Sequence, residues 1–202
     1  LIAMLLMIVI SAAGVRVAAG PRMRGVDLHF LALGAGFLLI ETRGLTVLAV
    51  IVGSTWAVTT SVFAGVLMMS LLATIVAARL RGRWVPWVFF GILGAALILN
   101  FVLPVSALAS LALPVRALLG ATLVSVPLFG SGVVFANSLA CTGHADRALA
   151  SNLLGALLGG IAEYASMMTG FRYLIVIAAA FYALALVTHR AFGARLGSRG
   201  SS

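Results

Sequence analysis

Apolar runs bounded by arginine, proline or glycine divide the chain into seven candidate membrane spans, at about 1–15, 27–52, 55–78, 84–103, 115–138, 148–169 and 171–189. A helix rising ~1.5 Å per residue needs about 20 apolar residues to cross hydrocarbon, and every run but the short first one comes close to that length. The expected fold is therefore all-α, a polytopic transmembrane bundle of six to seven helices over residues 1–192. The glycine- and serine-rich stretch 193–202 is expected to be a disordered tail.

Composition agrees with this reading and narrows it. The 202 residues are 63% hydrophobic and 8% charged, with a mean hydropathy of +1.24, far from the range of water-soluble domains. Six or seven spans with short loops use the whole length, which excludes a soluble catalytic domain within it. The chain starts inside an apolar run and without Met, as expected of a piece of a longer protein. A single cysteine, Cys141, excludes an internal disulfide.

Charge then tests the span count independently. The basic excess comes from 13 arginines, with no lysine, against Asp27, Glu41, Asp146 and Glu163. If the spans are right, Arg16, Arg22, Arg24, Arg79, Arg81, Arg83, Arg147, Arg190, Arg195 and Arg199 share one side of the membrane. The other side holds only Arg116 and Arg172. This asymmetry makes the arginine-rich side, with the C-terminal tail, cytoplasmic. It also accounts for the net charge of +9 without a nucleic-acid partner.

One arginine does not fit the loops. Arg43 lies with Glu41 inside the second span, in Gly34-Ala-Gly-Phe-Leu-Leu-Ile-Glu41-Thr-Arg43, where a charge costs several kcal/mol by insertion scales. Counting about 14 residues from the cytoplasmic end puts Glu41 at a depth of about 21 Å, and the same count along the sixth span puts Glu163 at about 22 Å. Glu41, Arg43 and Glu163 thus form one expected layer. Residues two apart on a helix point to nearly opposite faces, so Glu41 and Arg43 need separate partners. Either acid pairs with Arg43 across the bundle, and the other then faces a cavity.

The sixth span also places Asn152, Gly155, Gly159 and Glu163 on one helical face, a small and polar stripe that admits a close neighbour. Thr122, Ser125 and Gly132 form a weaker stripe on the fifth span, and Pro127 is expected to kink it. Two readings of the charged layer follow. In one, Arg43 and Glu163 form a structural charge network; in the other, Glu41, Glu163 and Asn152 are ligands for a substrate or proton.

Other signals carry less. Leu33-Gly-Ala-Gly36 has the look of a nucleotide-binding glycine loop but sits within a span, where helix packing explains it. Cys141 and His144 lack a second pair of metal ligands. His29 and His189 fall near span ends, where solvated positions suffice. No serine, histidine and acid converge on a catalytic set, and no cofactor is expected.

Gly34-Ala-Gly-Phe-Leu-Leu-Ile-Glu41-Thr-Arg43, Gly53-Ser-Thr-Trp56 and Ser151-Asn-Leu-Leu-Gly-Ala-Leu-Leu-Gly-Gly160 through Glu163-Tyr164 resemble the C-terminal membrane region of bacterial spermidine synthase-like multi-pass proteins. The resemblance covers about residues 28–188. It implies half of a major-facilitator-type fold, a bacterial inner-membrane location and a fused or associated aminopropyltransferase-like domain, with a tie to polyamines. On that basis the expected function is a membrane domain that binds or moves a small cation or polyamine at the Glu41 and Glu163 layer, with Arg43 and Asn152 setting its geometry. The alternative is a non-transporting anchor and scaffold for the synthase-like domain.

Overall fold

A computed structural model of the protein describes residues 25–53, 56–80, 84–103, 107–108, 110–170 and 172–199, besides residues 9 and 13. Within helices, the side chains of 57–59, 61–62, 165–169 and 190–199 lie outside the described set. Among the described residues the chain forms six helices and no strand: α1 Leu28–Val52, α2 Trp56–Arg79, α3 Val85–Val102, α4 Leu113–Ala140, α5 Ala145–Thr169 and α6 Tyr173–Arg199. These match the second to seventh expected spans to within a few residues, except that α6 runs on into the stretch expected as a tail. The expected first span, apart from residues 9 and 13, lies outside the described residues, as do residues 200–202.

Local sequence explains the boundaries. Asp27 caps α1, its Oδ1 accepting the His29 N–H at 3.0 Å, and its own N–H donates to Ser151 Oγ on α5 at 2.9 Å. Gly53 ends α1 with φ at 118°, a conformation open to glycine, while its N–H still closes on Ala49 O. Pro86 and Pro114 stand in the first turns of α3 and α4, where a missing N–H removes no helical bond.

α1 is the central helix. Its buried residues, among them Phe30, Leu33, Leu39, Ile40 and Ile51, occupy every face, as expected of a helix apolar all round. It packs most extensively on α5 and α6 and then on α4, which in turn carries α2 and α3. Partners on α1 and α5 advance together, from Asp27 with Ser151 to Thr42 with Glu163, so these helices are parallel. Partners on α1 and α4 run in opposition, from His29 with Ser138 to Gly44 with Val124.

α1, α3 and α4 are each long and apolar enough to cross a membrane, with window mean hydropathies of 1.8, 2.1 and 1.9; α2 and α6 hold shorter apolar stretches, Phe63–Arg79 and Tyr173–His189. Every helix also turns large apolar side chains outward. Val50, Leu67, Ile98, Leu118, Leu153 and Val187, one from each, are 64–72% exposed. Such a surface suits a hydrocarbon solvent. There, apolar burial no longer drives helices together, and close packing and inter-helix hydrogen bonds take over.

Glycine provides the close packing. A Cβ added at Gly155 would come within 2.7 Å of the Leu31 carbonyl carbon, and one at Gly159 within 2.7 Å of Ala35 O. One at Gly34 would meet Asn152 backbone. The stripe expected on the fifth helix of this set therefore admits α1 itself. Gly36 and Gly44 do the same for Tyr182 of α6 and Val124 of α4.

Candidate functional site

Consecutive residues on a helix lie about 100° apart, so Glu41, Thr42 and Arg43 leave α1 toward three directions. Thr42 Oγ1 donates to Glu163 Oε2 on α5 at 3.2 Å, which places Glu163 in the layer that counting along the spans predicts. Arg43 turns to α3, where Nη1 donates to Asn100 Oδ1 and Nη2 to the Asn100 carbonyl, both at 3.1 Å. Its guanidinium is directed to Asn100 and not to Glu163. The half-buried Glu41 makes no hydrogen bond or ion pair among the described residues.

Asn100 is the partner that the sequence reading missed, and the reason it is there begins with a proline. Pro127 lies inside α4 and has no N–H to donate to the carbonyl four residues back, Leu123 O. Asn100 Nδ2 donates to that carbonyl at 2.9 Å and to Ala96 O at 2.9 Å. The amide thus satisfies an acceptor orphaned by proline while its own oxygen receives Arg43. α4 continues as helix through Pro127 because this neighbour takes over the vacant bond.

The same region closes the end of α3. The last carbonyls of a helix have no partner within it and carry a partial negative charge. Arg43 takes the carbonyl of Asn100, and Arg172, at the start of α6, takes that of Phe101 at 3.3 Å with its guanidinium 4.7 Å from the Phe101 ring centroid. A half-buried arginine such as Arg43 that caps a helix C-terminus gains part of the compensation a carboxylate would give.

Between α1, α3, α4 and α6, beside this junction, lies a narrow cavity. Arg43 and Asn100 are its polar side chains, set among Leu39, Ile40, Leu97, Val124, Pro127 and Ile175. Its free centre admits about one water molecule. No acid lines it.

Asn152 does not join the layer. It shares a helical face with Glu163 but lies 11 residues before it, about 16 Å along the axis, and the face is filled by α1 at Gly34. A single ligand site holding Asn152 with Glu41 and Glu163 is therefore not formed. Spacing on one face established the direction of these side chains, but their axial separation keeps them apart.

His29 also departs from the solvated position expected of it. It is 3% exposed, with Nδ1 2.8 Å from Ala185 O on α6 and Nε2 2.8 Å from Ser138 Oγ on α4. A carbonyl can only accept, so Nδ1 carries the proton toward Ala185. The ring meets Phe30 edge-on and lies 5.2 Å from the His189 ring, which in turn meets Trp87. His29 is near the start of its own helix, but α4 and α6 extend past that point and cover it.

No protein-family model, curated protein or solved structure matches the chain. Among the described residues no group of three or more His, Cys, Asp or Glu side chains is placed to hold a metal ion.

Proposed function

We propose that the chain is the integral membrane domain of a bacterial inner-membrane protein of the spermidine synthase-like multi-pass type, related to half of a major-facilitator-type fold. It acts as a membrane anchor and scaffold, with the arginine-rich loops and C-terminus on the cytoplasmic side. The observation that carries the scaffold reading is the engagement of Arg43 by Asn100: the most costly charge at depth is turned to a neighbouring helix. Thr42 with Glu163, and His29 with α4 and α6, repeat the pattern. The fused or associated aminopropyltransferase-like domain is the partner such a scaffold would hold, and the bilayer is its solvent.

A second reading rests on Glu41. This carboxyl is half-buried and unpartnered among the described residues, which favours a site for a small cation or amine at its face of α1. Equilibrium binding of radiolabelled spermidine to the purified chain separates the two. The scaffold reading expects no saturable binding, and a reduced folded yield for Arg43→Gln but not for Glu41→Gln. Saturable binding that disappears in a well-folded Glu41→Gln variant would overturn it in favour of the second reading.

A further inference from the structure

We propose that the cavity beside Arg43 is a binding site for a small monovalent anion of chloride size. The sign of the site comes first. A guanidinium remains charged in any protein environment, and neither Arg43 nor Arg172 meets a carboxylate among the described residues. Both are turned to consecutive carbonyls at the end of α3. The end of a helix offers roughly half a negative charge, against two full positive ones. With no acid among the described residues that line the cavity, the junction is left electropositive.

Donors and size then select the occupant. Arg43 has five N–H donors and directs two of these bonds to Asn100. Its head lines the cavity with Asn100, and the remaining walls, including Leu39, Leu97, Val124 and Ile175, are apolar. Such walls strengthen the attraction between the guanidinium and an anion by excluding water. Room for about one water fits a halide and rejects a larger organic anion. The positive charge rejects a cation or polyamine, so this site is distinct from the face bearing Glu41.

The test uses the purified full chain in a neutral detergent, with sodium chloride replaced by sodium gluconate at constant ionic strength. Chloride is expected to raise the midpoint of thermal unfolding by about 5 °C at saturation, since a ligand that binds only the folded state stabilises it. Arg43→Gln should abolish this chloride-specific shift. Arg172→Gln, at an exposed position outside the cavity lining, should raise the half-saturating chloride concentration several-fold. Identical midpoints in chloride and gluconate for the natural chain would overturn the proposal. A chloride shift unmoved in Arg172→Gln and in any folded Arg43→Gln would overturn it as well, by placing the anion elsewhere. Anomalous scattering from bromide within the cavity of bromide-soaked crystals is the expected direct signature, and ordered bromide only at other positions would contradict it.

Discussion

Replacing Gly155 by alanine adds one methyl group where the structure has no space for it. The new Cβ would stand 2.7 Å from the Leu31 carbonyl carbon and 2.9 Å from its Cα, and nearer still to the carbonyl oxygen. All three are backbone atoms of α1, so no side chain can rotate away. Ordinary contact begins at 3.4 Å, so α1 and α5 must part by an appreciable fraction of an ångström. A gap of about 0.5–1 Å forfeits a quarter to a half of each dispersion contact along the seam. It would also stretch the Thr42–Glu163 bond, already 3.2 Å long. Overpacking of this kind costs about 1–3 kcal/mol. Gly91 of α3 provides the control, because it is exposed and a Cβ there meets nothing within 4 Å. Alanine at an unobstructed helical position gains about 0.5–1 kcal/mol over glycine. Reversible unfolding in mixed micelles, followed by circular dichroism, should therefore show opposite signs: Gly155→Ala destabilised and Gly91→Ala unchanged or stabilised. Equal effects of the two substitutions would refute the packing argument.

Two further predictions concern hydrogen bonds. Asn100→Leu should destabilise the bundle by about 1–3 kcal/mol, because it leaves Leu123 O without its donor and removes one of the two acceptors of Arg43. Its cost should shrink when combined with Pro127→Ala, which restores a backbone donor to Leu123 O; an unchanged cost would sever the proposed link between the proline and the amide. Ser138→Ala should cost about 1–3 kcal/mol by leaving His29 Nε2 buried without a partner, and the same unfolding assay checks it. A loss well under 0.5 kcal/mol would mean that the ring finds another partner there.

The helices were legible because each apolar run is long and its ends are marked by arginine, proline or glycine. The layer of Glu41, Arg43 and Glu163 was legible too, since helical rise turns residue counts into depth and Thr42 does meet Glu163. What counting did not reveal was the partner of Arg43. Pairing charged side chains with each other overlooks backbone carbonyls. Here one acceptor is the Asn100 carbonyl near the end of α3, and the amide that completes the junction is held by an acceptor freed by Pro127. The signal was available in principle: Asn100 is a lone amide in an apolar run, at the same distance into α3 as Arg43 into α1. Neither the burial of His29 nor the remoteness of Asn152 was readable from position within one helix. Both depend on how far neighbouring helices extend and on axial register between them. The glycine stripe was read correctly as a packing face because small residues at helical spacing admit few other uses in lipid.

The claim that polar side chains at depth clasp α1 to its neighbours is tested most directly by a double-mutant cycle on Arg43 and Asn100. Arg43→Met and Asn100→Leu, singly and together, are compared by reversible unfolding in mixed micelles. A charge-assisted bond in a water-poor setting predicts a coupling of about 1–2 kcal/mol, so that the double variant loses less than the sum of the single losses. Losses that add to within about 0.3 kcal/mol would contradict the clasp.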